Sequence, residues 1–90
     1  MRLVVDDKKI KKELVRLNKS IRAAYLAWKK IVENDGFEGL RQCKGFRFEK
    51  LRGQREGQMS CRLSRGYRII FIKYKSTVIV TVLEINKHEY

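Results

Sequence analysis

The first third of the chain carries apolar residues at helical spacing. Residues 3–5 form a short apolar run that predicts an opening strand, and Asp6 and Asp7 after it are residue types that cap the start of a helix. The apolar positions that follow are separated by four and three residues in turn, as on one face of a helix. They are Ile10, Leu14, Leu17, Ile21, Ala24, Trp28 and Ile31.

Two weak helix breakers, Asn18 and Ser20, lie within this stripe. An uninterrupted helix across the whole stripe would be long for so small a domain, so the pattern favours a two-helix hairpin. Residues 34–36, with the sequence Asn-Asp-Gly, are typical of a helix end because glycine and asparagine accept the left-handed backbone there.

Beyond Gly36 the apolar period changes from helical to alternating, and β-branched and aromatic residues become frequent. This predicts four strands. They are residues 46–49, 59–64, 67–74 and 77–85. The segments between them are too short for crossover helices, which favours an antiparallel meander. We therefore predict a single α+β domain over residues 1–90, of order β-α-α-β-β-β-β, with the helices on one face of a mainly antiparallel sheet.

The charge of the chain points to an anionic partner. Its 90 residues include 22 Lys and Arg against 10 Asp and Glu, which gives a net charge of +12. Most of the excess lies in residues 41–75, where eleven cations, mainly Arg, face two acidic residues. Arg binds phosphate through two parallel hydrogen bonds, so this distribution favours a nucleic-acid partner.

Several classes of function are disfavoured. Two cysteines, Cys43 and Cys61, are too few for a disulfide scaffold and have no Cys/His cluster near them, so we expect no metal site and no cofactor. No apolar run is long enough to cross a bilayer and no signal peptide is recognised, so we expect a cytoplasmic protein without a membrane partner. A Gly-rich phosphate loop and a serine nucleophile motif are also absent from the sequence.

The polar side chains of the predicted strands suit cleavage of RNA without a metal. That reaction needs a base for the ribose 2′-OH, an acid for the leaving 5′-oxygen and cations for the pentavalent phosphate. His88 is the natural proton-transfer group, and Glu49 can act as a base or orient an arginine. Arg62 and Arg68 lie on two strands of one predicted hairpin, and Tyr90 offers a ring for base stacking or a phenol proton. Taken alone, the pattern also fits solvent-exposed or ion-paired side chains.

Four separated segments in the second half of the chain share a recognisable pattern. They are Phe48-Glu49-Lys50-Leu51-Arg52-Gly53, Arg55-Glu56-Gly57, Ser60-Cys61-Arg62-Leu63 and Tyr67-Arg68-Ile69-Ile70-Phe71. Their order and spacing resemble the RelE/ParE superfamily of bacterial type II toxins, and most of all its HigB- and YoeB-like branches. The resemblance covers residues 46–90, and the predicted strand-helix-helix order upstream agrees with the RelE-like fold.

This resemblance implies a toxin that is a metal-independent endoribonuclease, cutting mRNA in the ribosomal A site in most members. The implied partners are a cognate antitoxin, mRNA and the ribosome with its rRNA. The implied catalytic residues are Glu49, Arg62, Arg68, His88 and Tyr90. The basic residues Lys44, Lys50, Arg52 and Arg55 are predicted to bind RNA. Whether Glu49 or His88 is the general base stays open at the level of sequence.

Two positions depart from the family pattern. Glu89 separates His88 from Tyr90, which are often adjacent in the family, although an extended tail would still direct both to the same side. Met59 stands where an aromatic residue is usual. The alternative is a ParE-like toxin that binds and poisons DNA gyrase without catalysis, and such members generally lack the C-terminal His and Tyr.

Overall fold

The computed structural model describes residues 2–87, which form five strands and two helices. The strands are β1 (Val4–Asp6), β2 (Glu49–Lys50), β3 (Met59–Ser64), β4 (Tyr67–Lys73) and β5 (Ile79–Lys87), and the helices are α1 (Lys11–Arg16) and α2 (Lys19–Gln42). The sheet order is β1-β5-β4-β3-β2; β1 runs parallel to β5 and every other pair is antiparallel. The predicted α+β order and the meander of the last four strands are confirmed.

The helical hairpin forms at the break predicted in the stripe. Asn18 caps α2, because its side-chain oxygen accepts a hydrogen bond of 3.0 Å from the backbone N–H of Ile21. Arg22 reaches back to three carbonyl oxygens at the end of α1, including that of Leu17 at 2.8 Å. These bonds satisfy carbonyls that a helix end leaves without partners, so both ends of the turn are fixed.

The predicted helix end at residues 34–36 is confirmed in the backbone, because Gly36 is non-helical and separates two helical segments within α2. Gly36 does adopt a positive φ of 67° and kinks α2, but helical turns resume and continue to Gln42. Phe37 follows the break, and its ring packs 5.6 Å from that of Phe48 and 5.8 Å from that of Phe71. Packing of this aromatic residue holds the second helical segment, beyond the break at Gly36, against the sheet.

The start of the first predicted strand of the meander is displaced. Lys44–Phe46 is a 3-10 turn, and β2 begins only at Glu49. Arg47 follows the turn in the left-handed backbone conformation, which is incompatible with a strand.

The core lies between the helices and one face of the sheet. Trp28 of α2 is fully buried and meets Phe71 of β4 edge to face, with 5.0 Å between ring centroids. Of the predicted stripe, Ile10, Leu17, Ile21 and Trp28 are buried, while the remaining members are half-buried at its edge. Neither helix among residues 2–87 is long and apolar enough to cross a membrane.

Asp7 has a different role from the predicted helix cap. Its side chain makes no capping bond; one carboxylate oxygen instead accepts hydrogen bonds from Tyr25 Oη at 2.7 Å and Lys29 Nζ at 3.2 Å. Burial opposes ionisation of Asp7, but the bonds from Tyr25 and Lys29 outweigh it and lower the pKa of this carboxyl below 3.8. The network ties the chain after β1 to α2.

The sheet face away from the helices is crossed by the loop between β2 and β3. Arg55 in this loop reaches Glu84 of β5, with contacts of 2.8 and 3.3 Å to its two carboxylate oxygens. Glu84 pairs in register with Ile70 of β4, which is fully buried although it is not part of the core beneath the helices. We call the Arg55–Glu84 pair the clamp, and it holds the loop over this part of the sheet.

We expect Tyr25→Phe to lower the free energy of unfolding by about 1–2 kcal/mol at neutral pH, because the half-buried Asp7 carboxylate loses a hydrogen-bond donor. The folded-state pKa of Asp7 is depressed, so its contribution is present above about pH 3.8 and lost as the pH falls below it. Urea unfolding from pH 7 to pH 3 should therefore show wild type and variant converging at acid pH. A difference independent of pH would contradict the assignment.

We expect Glu84→Gln to release the loop. Hydrogen bonds from Arg55 and Asn86 lower the pKa of Glu84 below 4.5, so the clamp stabilises above that pH and weakens as the pH falls. Amide exchange at Leu51, whose N–H bonds the Gln58 carbonyl at 2.9 Å, should become faster in the variant. The matched control is Glu56→Gln, which makes the same charge change at an exposed position of the same loop. Equal exchange in both variants would show that the clamp does not hold the loop.

Candidate active site

A groove opens on the sheet face that the helices leave uncovered. It lies where β2, β3 and β4 run side by side, and its volume is about 270 Å³. It is lined by Arg47, Glu49, Ser60, Cys61, Arg62, Ser64, Arg65, Tyr67 and Arg68. Four arginines and one carboxylate therefore converge on one depression.

The centre of the groove is a pair of arginines. Arg62 of β3 and Arg68 of β4 are direct partners in the antiparallel register, and both are half-buried. The register shifts between Arg62 and Ser64, and at this bulge Arg62 Nε donates a 3.2 Å hydrogen bond to the Ser64 carbonyl. Like charges directly opposite each other destabilise a sheet. An anion bound between the two guanidinium groups would reduce their repulsion.

Glu49 lies beside this pair. It is the register partner of Ser60, and Ser60 Oγ donates a hydrogen bond of 3.4 Å to its carboxylate. Ser60 is 4% exposed and is followed two positions later by Arg62, so both side chains lie on the same sheet face. A carboxylate able to accept a proton is thus fixed next to two cations able to hold a phosphate.

The cysteine near the groove is not a nucleophile. Cys61 is 1% exposed and belongs to the core, and burial raises the pKa of its thiol to about 12. The thiolate form is therefore not populated near neutral pH. The expectation that Cys61 is a small buried apolar residue is confirmed.

The structure brings together only part of the predicted site. Glu49, Arg62 and Arg68 line one groove. The residues predicted to bind RNA lie outside that lining: Lys44, Lys50 and Arg52 are exposed, and Arg55 is held in the clamp. His88 and Tyr90 lie outside the described residues.

Six groove residues were not among the predicted site residues: Arg47, Ser60, Cys61, Ser64, Arg65 and Tyr67. Ser60 and Tyr67 do occur within the segments that carry the resemblance, each next to or near a predicted arginine. Arg65 lies in the tight turn that joins β3 to β4, a position from which a side chain can reach either strand. For Arg47 the sequence offers no signal except its charge.

The chemistry available here is recognition of a phosphodiester. Two opposed guanidinium groups can bind its non-bridging oxygens and stabilise charge that builds up on them. The adjacent carboxylate can accept a proton from a hydroxyl beside that phosphate. The groove therefore supplies cations and a base at one place.

Comparison of the sequence with models of protein families gives no match, and comparison with curated proteins gives none that is significant. Solved structures do match. The archaeal RelE–RelB complex from Pyrococcus horikoshii contains a chain with 22% identity and a TM-score of 0.74, over 97% of this chain and 96% of that one. The intact RelBE toxin–antitoxin complex of E. coli matches with 24% identity and a TM-score of 0.69, over 98% and 99%.

A third match is the YoeB/ParE toxin from Agrobacterium tumefaciens, with 17% identity and a TM-score of 0.61 over 99% of this chain and 100% of that one. These similarities extend over nearly the full length of each domain, from the parallel β1–β5 pair to the meander. The resemblance seen in the sequence motifs is confirmed at the level of the fold, and the chain has the fold of the RelE/ParE superfamily of type II toxins.

Proposed function

We propose that this protein is the toxin of a type II toxin–antitoxin system and acts as a metal-independent endoribonuclease on mRNA. The observation that carries the proposal is the groove in which Arg62 and Arg68 face each other beside Glu49. Cations that can hold a phosphate beside a carboxylate that can accept a proton are groups that metal-independent phosphodiester cleavage requires.

The proposed reaction begins with removal of the proton from a ribose 2′-OH. The oxygen attacks the adjacent phosphorus, and the bond from phosphorus to the 5′-oxygen of the next nucleotide breaks. That oxygen takes up a proton from an acid, which leaves a 2′,3′-cyclic phosphate and a free 5′-hydroxyl. No electrons are exchanged, so the step needs only a base, an acid and cations.

Glu49 is the proposed base, because Ser60 holds its carboxylate beside the arginine pair. Arg62 and Arg68 would bind the scissile phosphate, and their interactions with it would strengthen as negative charge develops in the transition state. His88 and Tyr90 are proposed to complete the site, as the family resemblance implies. With Glu49 as the base, His88 would donate the proton to the leaving oxygen, and Tyr90 would stack on a base or donate its phenol proton. His88 as base, with Glu49 orienting an arginine, is the alternative assignment.

The remaining positive charge suits a large polyanion. Lys44, Lys50 and Arg52 are exposed near the groove end of the sheet and can contact phosphates of mRNA or of rRNA in the ribosomal A site. Arg55 would act differently, since the clamp already occupies its guanidinium and leaves it a positioning role for the loop. The antitoxin partner is proposed by analogy with the RelE–RelB and RelBE complexes, and cytoplasmic action follows from an mRNA substrate.

We expect Arg68→Ala to reduce the rate of mRNA cleavage by about 10²–10³-fold, the loss typical for one group that stabilises transition-state charge. The measurement is primer extension on a defined mRNA, in EDTA without ribosomes and in a magnesium buffer with ribosomes, which need Mg²⁺ to stay assembled. Arg16→Ala is the matched control, because Arg16 is an exposed residue of α1 on the helical side of the domain and carries the same charge. The control should cut like wild type.

Cleavage by Arg68→Ala at the wild-type rate would remove this residue from the mechanism. If wild type produces no cuts with or without ribosomes, the nuclease proposal fails. Arrest of DNA replication before translation on expression would then favour the gyrase-poison alternative.

A further inference from the structure

We propose that the protein has a second phosphate-binding subsite, formed by Arg47, Arg62 and Arg65, next to the groove that holds the scissile phosphate. Its ligand is the neighbouring phosphodiester of the same single-stranded RNA. The identity of that ligand rests on the proposed function, whereas the site itself rests on the three arginines.

The subsite is a second depression on the same sheet face. It has a volume of about 560 Å³ and is lined by Arg47, Arg62, Arg65 and Gly66. All three arginines also line the first groove, so the two depressions share this wall; Glu49 and Arg68 lie only in the first and Gly66 only in the second. The space around Gly66 in the turn is open: a Cβ atom placed on this residue would have no neighbouring atom within 4 Å. A chain with regularly spaced phosphates can therefore occupy both depressions at once.

The charges of the subsite differ from those of the first groove. Glu49 lines the first groove, but no carboxylate lines the second. Among residues 2–87, the ion pairs involve Lys29, Arg41 and Arg55, so Arg47, Arg62 and Arg65 form none there. A depression with three cations and no proton acceptor suits binding of a phosphate and not its cleavage.

The backbone of Arg47 gives a second, independent observation. This residue has φ 45° and ψ 53° and is the one non-glycine residue with positive φ among residues 2–87. Glycine adopts this conformation without the steric penalty that a Cβ brings. Arg47 is exposed and its side chain makes no hydrogen bond within that part of the chain, so packing does not explain the choice. Retention of a strained arginine at the edge of a groove is consistent with a role in binding.

This observation supplies a variant that separates binding from folding. Arg47→Gly removes the guanidinium group and relieves the backbone, so its urea unfolding midpoint should equal or exceed that of wild type. A clear fall in the midpoint would show that the Arg47 side chain has a structural role, and that result would overturn the proposal.

The binding test uses two short probes that cannot be cleaved because each ribose carries a 2′-O-methyl group. The dinucleotide contains one phosphodiester and the trinucleotide contains two. NMR titration of the full chain should show wild type binding the trinucleotide several-fold more tightly than the dinucleotide. In Arg47→Gly combined with Arg65→Ala, the two probes should bind alike. The control is Lys11→Ala with Lys12→Ala, an equal loss of charge on exposed α1 residues, and it should keep the wild-type ratio.

A trinucleotide advantage that persists in the Arg47/Arg65 variant would overturn the subsite and leave the nuclease proposal intact. The experiments also distinguish failure of the catalytic proposal from failure of the subsite. A wild-type protein that shows the advantage, loses it in the variant and yet cuts no mRNA would retain the subsite and refute the proposed catalysis.

Discussion

Within residues 2–87 both helices pack on the same face of the sheet, so the other face is covered only in part, by the loop between β2 and β3. Everything on the other face follows from this constraint and from the alternation of side chains along a strand. Cys61 points into the core beside Trp28, and therefore its neighbour Arg62 points away from it. The same alternation in β4 buries Phe71 and directs Arg68 to the open face. The positive charge of the strands is thus concentrated on a surface that no part of residues 2–87 covers with a helix.

This concentration of positive charge favours anion binding in the groove and adds repulsion between its arginines. Arg62 and Arg68 are held opposite each other by the ladder of β3 and β4, and no movement short of breaking that ladder separates their backbones. The nearby clamp reduces the repulsion between the arginines, since the Glu84 carboxylate attracts Arg68 as well as Arg55. A bound phosphate would neutralise more of it, and a ligand that binds only the folded state also stabilises that state. Recognition and stability are therefore coupled in the same few side chains.

Much of the fold could be predicted from periodicity. The change from a helical to an alternating period located the helices and the strands, and the Arg62–Arg68 pairing follows from the tight turn between them. The errors have physical causes. The strand predicted at residues 46–49 begins only at Glu49, because Lys44–Phe46 form a 3-10 turn and Arg47 after it has a left-handed backbone. The clamp joins residues 29 positions apart, and Arg47 reaches the groove through a left-handed turn, so no local pattern could reveal either.

The parallel pairing of β1 with β5 has a consequence for how the domain assembles. Val4 and Ile79 are partners although they lie 75 positions apart, whereas Arg62 and Arg68 meet across a local hairpin. Contacts between distant segments form slowly, because a long stretch of chain must be ordered first. A nascent chain can therefore carry its arginine hairpin early, but the centre of the sheet closes only after β5 has been synthesised. Until β5 joins the sheet, Arg62 and Arg68 face each other only within an isolated hairpin, which is marginally stable on its own.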